Sequence, residues 1–220
     1  MSRSVTDTLR QEIINGIYPA GEHITIRQLV LKYGVSEMPV REAFQCLKGE
    51  GLLELHQYKG ARVVPLDVND VAYIYDIRTA IEILILKEVI QKDYTKNFLT
   101  GLARINSSVD IRLPEKKLSF QYGTINNQFH SDMFTLSGNK RAKDMYILYS
   151  NLFRALKRRY PDNIENIKIG LGEHEALILA LKDRDETKIS ELVARHSERA
   201  KNSLLQKMVM EPADLSADAK

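Results

Sequence analysis

The sequence predicts a mainly α protein with a small mixed head and an all-helical body of six or seven helices. Short helix and strand patterns alternate at first, and apolar residues recur with a helical period from Asn69 onward. Pro65-Leu66-Asp67 lies between the two patterns. With 220 residues and 44% hydrophobic side chains, the chain can form a core in each part. We therefore predict a head over residues 1–66, a body over residues 67–210 and a flexible tail over residues 211–220.

The head is predicted to contain three helices and two strands. They are a helix through Leu9 that ends near Asn15-Gly16, helices at Ile26–Tyr33 and Ser36–Gly49, and strands at Leu52–Leu55 and Ala61–Val64. Gly34 can adopt the positive φ of a tight turn between the second and third helices. The Ser36 hydroxyl is expected to accept a hydrogen bond from an early backbone N–H of the third helix. Pro39 lies in the first turn of that helix, where its missing N–H costs nothing.

A helix, a tight turn and a second helix, followed by a two-stranded wing, form a winged helix-turn-helix that places one helix in the major groove of DNA. Arg41, on the third helix, is the best candidate for a bidentate contact with guanine or a phosphate. The alternative is that Arg41 only pairs with Glu37 or Glu42 on a solvated helix face. The residues predicted to contact DNA are Arg27, Ser36, Glu37, Met38, Arg41, Lys59, Gly60 and Arg62.

The body is predicted to be helical throughout. One long helix carries Ile74, Ile81 and Ile85 on one face, and further helices are expected at about 95–109, 114–136, 139–160, 163–182 and 186–208. The most apolar run, at 81–90, is interrupted by charged residues, so no membrane-spanning helix is expected.

Composition adds little about partners. The net charge is +3, and residues 1–66 contain eight Lys or Arg against seven Asp or Glu, so bulk charge does not indicate nucleic acid. The single cysteine, Cys46, cannot form an intrachain disulfide, which is typical of the reducing cytoplasm. Cys46 is expected to pack rather than react, because no activating base is placed beside it.

Three of the five histidines lie on apolar faces of predicted helices. His174 and His196 belong to inward stripes, and His130 follows Asn126 by one helical turn. If the three helices meet in a bundle, three neutral imidazoles form a site for Zn²⁺, with nickel or manganese ions as alternatives. On periodicity alone, a core histidine that is simply hydrogen bonded is the commoner explanation.

The head resembles the GntR family of bacterial regulators. The resemblance is carried by Val35-Ser36-Glu37-Met38-Pro39-Val40-Arg41-Glu42-Ala43-Phe44, Glu50-Gly51-Leu52, Gly16-x-Tyr18-Pro19-x-Gly21 and Lys59-Gly60-Ala61-Arg62-Val63-Val64. The positions that contact operator DNA in that family correspond here to Arg27, Ser36, Arg41 and Gly60. Glu37 and Met38 stand where many relatives carry Arg and Thr, which implies a different operator. Palindromic operators are read by two-fold dimers, so we expect a homodimer bound to double-stranded DNA.

The body resembles the FCD effector domain of the FadR subgroup. The matching features are Arg78-x-x-x-Glu82, Phe129-His130 before Ser137-Gly138-Asn139, and the pair His174 and His196. In metal-binding members one Asp and three His hold the ion, and the three His correspond to His130, His174 and His196. Asn126 stands at the Asp position, and its neutral amide oxygen is a weaker ligand than a carboxylate. The resemblance therefore implies a metal whose affinity is reduced or depends on a bound acid.

A metal with open coordination positions would accept the carboxylate of a small organic acid, and Arg78 would contact that carboxylate. An ion pair with Glu82, one turn further along, is the equal alternative for Arg78. We expect a repressor whose operator affinity falls when the acid binds. A regulator that senses the metal directly is one alternative. The other is a metal-dependent enzyme with Glu173 or Glu175 as general base, although both flank His174 and point away from its face.

Overall fold

The computed structural model describes residues 4–56, 60–94 and 96–210, apart from the side chains of residues 154, 155 and 158. A small head with a three-stranded sheet precedes a body made entirely of helices, which confirms the predicted fold class. Lys59, predicted to contact DNA, and the predicted tail at 211–220 lie outside the described residues.

The head contains a helix-turn-helix beside a small antiparallel sheet. Its elements in chain order are α1 (Val5–Ile14), β1 (His23–Ile24), α2 (Ile26–Tyr33), α3 (Glu37–Gly49), β2 (Leu53–His56) and β3 (Gly60–Val63). Thr25 and Gln28 form a reciprocal capping box at the start of α2, and Gly34 ends that helix with φ +64°. The apolar faces of the three helices and the sheet enclose one core, which includes Leu9, Ile13, Leu29, Val40, Phe44, Leu47, Leu53 and Ala61.

In the head, one local prediction is wrong and one strand was not predicted. Ser36 occupies the N-cap position of α3, but its side chain makes no capping hydrogen bond. The predicted two-stranded wing is present as β2 and β3, and the sheet has an additional strand, β1, in the order β1-β3-β2. A strand of two residues, His23 opposite Arg62 and Ile24 opposite Ala61, is too short to show a period of two in the sequence.

The body contains six α-helices in its described residues, within the predicted six or seven. They are α4 (Val68–Ile90), α5 (Lys96–Asn106), α6 (Glu115–Met133), α7 (Lys140–Arg159), α8 (Ile164–Asp183) and α9 (Glu186–Met210), with a 3₁₀ turn at Phe134–Leu136. Asp67 caps α4 in a capping box with Asp70. α4 packs along α9 and against α7, and α5 and α6 pack against α8, so α8 and α9 join the two groups of helices. No helix in the described part of the chain is both long and apolar enough to cross a membrane.

α7 links the body to the head. Leu152, in this helix, packs against the head core and also against the apolar cluster that α7 shares with α4 and α9. α1 of the head contacts α7 directly. One body helix therefore shares apolar contacts with both parts of the chain.

Gly60 begins β3 with φ +101°, a backbone conformation that disfavours every residue with a Cβ. A Cβ at this position would lie 2.3 Å from the carbonyl oxygen of Ile24 on the adjacent strand. We expect Gly60→Ala to lower the free energy of unfolding by about 1–3 kcal/mol, because both the clash and the backbone strain act in the folded state. Urea denaturation of the full chain measures this change.

The matched control is Gly49→Ala, in the last turn of α3, where a Cβ meets no heavy atom within 4 Å. This variant is expected to be unchanged or more stable by up to about 1 kcal/mol. Equal stability of the two variants would contradict a structural role for Gly60.

Candidate functional site

The predicted DNA-contacting residues of the helix-turn-helix lie on its exposed surface, at the starts of α2 and α3. The exposed members of this set are Arg27, Ser36, Glu37, Met38 and Arg41. Arg41 donates to Glu37 with 2.9 Å between Nη2 and Oε2, and both side chains are more than half exposed. An exposed i,i+4 pair contributes only about 0.3–0.5 kcal/mol. DNA can therefore displace Glu37 from Arg41 at small cost.

Two other predicted DNA contacts have structural partners within the head. Arg62 is half-buried, and its Nε donates to the carbonyl oxygen of Gly21 at 2.9 Å. Gly60 lies against the backbone of Ile24. Both residues therefore help to hold β3 in the sheet, in addition to any contact that they make with DNA.

The structure brings His130 of α6, His174 of α8 and His196 of α9 together in the body. Their ring centroids are 5.2 Å (His130 to His174), 5.7 Å (His130 to His196) and 5.0 Å (His174 to His196) apart. One nitrogen from each ring lies within 4.8 Å of the others. His130 and His174 are fully buried and His196 is largely buried. Three imidazoles on three helices thus face a common point.

His174 is held by an amide from a fourth helix. Its Nδ1 lies 2.9 Å from Oδ1 of Asn106, the last residue of α5, and the ring stacks on Phe129 with 4.2 Å between centroids. Nε2 of His174 is buried without a hydrogen-bond partner.

His196 is held by a carboxylate. Its Nδ1 lies 2.7 Å from Oε2 of Glu173, and Arg199 donates to the same carboxylate from Nη2 at 2.8 Å. Glu173 precedes His174 on α8 and is directed toward α9, which is the expected orientation away from His174. The alternative role of Glu173 as a general base is not supported, because its carboxylate is already hydrogen bonded. Its two oxygens are occupied by His196 and Arg199.

Glu82 of α4 provides the third contact behind the histidines. Its Oε1 lies 2.8 Å from Nδ1 of His130, although the two groups do not have the alignment of a hydrogen bond. Its Oε2 accepts a hydrogen bond from the Tyr146 hydroxyl at 3.2 Å, and that hydroxyl accepts one from Nη2 of Arg78 at 2.9 Å. Arg78 is therefore linked to Glu82 through Tyr146 rather than by the direct ion pair that was the alternative expectation.

A cavity of 1640 Å³ opens beside this cluster. Its lining near the histidines comprises Arg78, Glu82, Asn126, His130, Tyr146 and His196, and it extends to Gly21, Arg62 and Val63 of the head. His174 does not line the cavity but adjoins the two histidines that do. Asn126 is half-buried on the same face of α6 as His130.

Comparison with known proteins assigns the chain to a family. Residues 1–63 match the family described as bacterial regulatory proteins, gntR family, and residues 73–199 match the FCD domain. The chain belongs to the GntR family. Its members are transcriptional regulators and not enzymes, so this GntR-family regulator is one as well. The predicted regulator, and not the alternative of a metal-dependent enzyme, is thereby confirmed.

Similar proteins include several named repressors. The gluconate operon transcriptional repressor of Bacillus licheniformis is 30% identical over 186 residues, which cover 80% of this chain and 74% of that protein. The transcriptional repressor GlaR of Escherichia coli is 23% identical over 86% of this chain and 88% of its own length. The structure of E. coli McbR/YncC shares the fold with a TM-score of 0.74 and 17% identity, over 94% of this chain and 99% of that one.

Burial sets the ionisation of the cluster in this GntR-family regulator. Loss of hydration on burial holds the pKa of His174 well below its usual range and also lowers that of His196, despite the opposing hydrogen bond from His196 to Glu173. Burial alone would raise the pKa of Glu173, but the hydrogen bonds from His196 and Arg199 outweigh it and lower the pKa to about 2. Neutral imidazoles backed by an ionised carboxylate are the form in which histidine binds metals.

Sequence reasoning missed the residues that hold the imidazoles. Asn106 lies 68 positions before His174, and nothing in its local sequence marks it. Tyr146 belongs to an apolar stripe of α7 that looks like ordinary core. Glu173 was weighed only as a general base, because its position relative to α9 could not be read from α8 alone.

The depressed pKa of His174 predicts a loss of stability in acid. The unfolded chain takes up a proton near pH 6.5 while the folded chain keeps His174 neutral, so stability is full above that pH and falls below it. In metal-free buffer we expect His174 to account for about 1.4 kcal/mol of destabilisation between pH 7.5 and pH 5.5.

The measurement is urea unfolding at both pH values with the wild type and with His174→Phe, which keeps a flat ring against Phe129. The variant should lose less stability between the two pH values than the wild type does. An identical loss in both proteins would show that His174 does not titrate as its burial requires.

Proposed function

We propose that this regulator is a repressor whose operator affinity is lowered when a small organic acid and a divalent metal ion bind in the body. A relative named as the gluconate operon repressor supports a carboxylate effector, and several relatives are named repressors. The proposal has two parts, DNA reading by the head and acid binding in the body, and each can be tested without the other.

One observation carries the effector site. Three buried side-chain nitrogens lack a hydrogen-bond partner among the described residues, and they are Arg78 Nε, His130 Nδ1 and His174 Nε2. An unpaired buried polar group costs about 1–3 kcal/mol, so such groups are rare unless something else satisfies them. His130 Nδ1 already has the Glu82 carboxylate at 2.8 Å, which leaves Arg78 Nε and His174 Nε2 in need of a partner. Both belong to the cluster beside one cavity, which supports a ligand that satisfies them.

Three imidazoles are the donor set that Zn²⁺ prefers, and Ni²⁺ or Mn²⁺ is the alternative. The residues that would hold the ion are His130, His174 and His196, with the amide oxygen of Asn126 as a weak fourth ligand. A bound ion supplies positive charge and open positions for an oxygen ligand. Arg78 supplies a second cationic contact, because its Nε is buried and unpaired at the same cavity. A carboxylate satisfies both groups at once.

α7 offers a physical route from this site to the head. The Arg78 guanidinium lies 4.6 Å from the ring centroid of Tyr146 and 5.1 Å from that of Phe153, and both rings belong to α7. Leu152, beside Phe153, packs into the head core. A carboxylate that pairs with Arg78 changes the contacts of this arginine with α7. Because α7 also packs against the head, the position of the head changes with them. In a homodimer this alters the spacing of two recognition helices, with a coupling of about 1–3 kcal/mol.

Reading of the operator is proposed to depend on Arg41. We expect Arg41→Ala to weaken binding by about 1–3 kcal/mol, because a bidentate contact with guanine has that value. The DNA would be selected from a random pool with the wild type, and affinity measured by fluorescence anisotropy at one stated salt concentration.

Arg112→Ala is the matched control, since Arg112 is an exposed arginine of the body that pairs with Asp110. It should bind the selected DNA like the wild type. Arg41→Ala binding as tightly as Arg112→Ala would remove the recognition role from Arg41.

Effector binding is tested by thermal unfolding with Zn²⁺ and a panel of acids, including gluconate and dicarboxylates of four to six carbons. Zn²⁺ alone should raise Tm, and one acid should raise it further only when Zn²⁺ is present. A ligand at 100 times its Kd adds about 2.7 kcal/mol to the free energy of unfolding. Arg78→Met should keep the response to Zn²⁺ and lose the response to the acid.

Arg112→Met serves as the control and should respond to both. If Zn²⁺ alone releases the protein from its selected DNA and no acid has an effect, the regulator senses the metal directly. An acid response that survives in Arg78→Met would exclude Arg78 from the effector site.

A further inference from the structure

Asn106 has a buried side-chain amide whose NH₂ group and oxygen both have partners. It is 3% exposed, its Nδ2 donates to the carbonyl oxygen of Leu171 at 3.0 Å, and its Oδ1 lies 2.9 Å from Nδ1 of His174. Leu171 and His174 are one turn apart on α8, so a single side chain from α5 contacts two successive positions of that helix.

These two contacts fix where the proton of His174 lies. A backbone carbonyl can only accept a hydrogen bond, so the end of Asn106 that faces Leu171 must be the NH₂ group. The other end is therefore the oxygen, which also only accepts, and Nδ1 of His174 must carry the hydrogen. In the form with a single ring proton, Nε2 then has a free lone pair.

No other group within the described residues takes up this free lone pair. Nε2 of His174 is buried and has no hydrogen-bond partner among the described residues, while the rings of His130 and His196 lie 5.2 and 5.0 Å away. Phe129 stacks on the face of the ring at an angle of 9° and limits its rotation. The ring is held in place and in one tautomer, with its acceptor nitrogen ready to bind a cation.

We infer that Asn106 is the positioning residue that prepares His174 to bind the divalent metal ion. This inference rests on the proposed function, since it assigns a role within the proposed metal site. Asn106 of α5 and His174 of α8 interact before any metal binds, so an experiment can reject the metal site without rejecting the positioning role of Asn106.

Two variants of Asn106 separate positioning from packing. Asn106→Leu fills the same space but accepts no hydrogen bond, so either nitrogen of His174 can carry the proton. Asn106→Asp still accepts from Nδ1 and keeps the tautomer. Asn166→Leu is the control, because it removes an amide of α8 that bonds to Ser203 instead of to a histidine.

The first readout needs no metal. Nitrogen-15 NMR of the imidazole rings in the metal-free full chain distinguishes protonated from unprotonated ring nitrogens. We expect the proton of His174 on Nδ1 in the wild type, in Asn106→Asp and in Asn166→Leu, and on a mixture of both nitrogens in Asn106→Leu. A wild-type His174 protonated on Nε2 would overturn the assignment.

The second readout is Zn²⁺ affinity, measured by competition with a chromophoric chelator. Loss of the hydrogen-bond partner behind a metal-binding histidine weakens metal binding roughly 10- to 100-fold, and we expect this of Asn106→Leu. Asn106→Asp should bind within about threefold of the wild type or tighter, because an anionic acceptor makes the imidazole more basic. Asn166→Leu should bind like the wild type.

Equal affinities for Asn106→Leu and the wild type, or equal losses in Asn106→Leu and Asn106→Asp, would overturn the positioning role. Circular dichroism on each variant identifies a loss caused by unfolding, and Asn106→Asp with the NMR readout then decides the question. A wild type that binds no Zn²⁺ overturns the metal site of the proposed function, while the ring spectrum still decides whether Asn106 fixes the tautomer.

Discussion

Polar side chains buried between helices need partners, since each unpaired group costs about 1–3 kcal/mol. In the body, the histidine cluster on α6, α8 and α9 meets this requirement with side chains from three further helices, α4, α5 and α7, and with Glu173 and Arg199 from α8 and α9. Asn106 of α5 reaches His174, Arg199 of α9 completes the pair of Glu173 and His196, and Tyr146 of α7 joins Arg78 to Glu82 on α4. These contacts fix the helices relative to one another more specifically than apolar packing can.

By the same requirement for hydrogen-bond partners, the cluster beside the cavity is incomplete. The contacts of Glu82, Glu173 and Asn106 lie behind or beside the imidazoles, and within the described residues Arg78 Nε and His174 Nε2 have neither a hydrogen bond nor an ion pair. A protein evolved only for stability would gain by replacing such groups with apolar side chains of similar volume. Their presence in a cluster beside a cavity supports a binding role, at some expense of stability.

Much of the fold could be predicted because it is local. Gly34, Pro39 and the apolar stripe of α3 define the helix-turn-helix within about fifteen residues, and helical periods define the body. The three histidines could be nominated because each lies on an apolar face. Their partners could not, since Asn106, Glu82 and Tyr146 reach them across 48 to 68 positions of chain or through a third side chain. β1 was missed because two residues show no periodicity. The predicted Ser36 cap was wrong because the sequence does not determine the orientation of the hydroxyl.

The ion pair between Glu37 and Arg41 has a consequence for how the regulator searches a chromosome. With eight cationic and seven anionic residues over 1–66, and with Arg41 paired to Glu37, the head has little net positive charge to offer the phosphates of random DNA. Nonspecific binding of the head to DNA is therefore expected to be weak. Less protein is then held at the many unrelated DNA sites that compete with the operator. With Arg41 as the proposed reading residue, a sequence must offer a better acceptor than Glu37 to gain the contact, which adds about 0.3–0.5 kcal/mol of preference against other sequences.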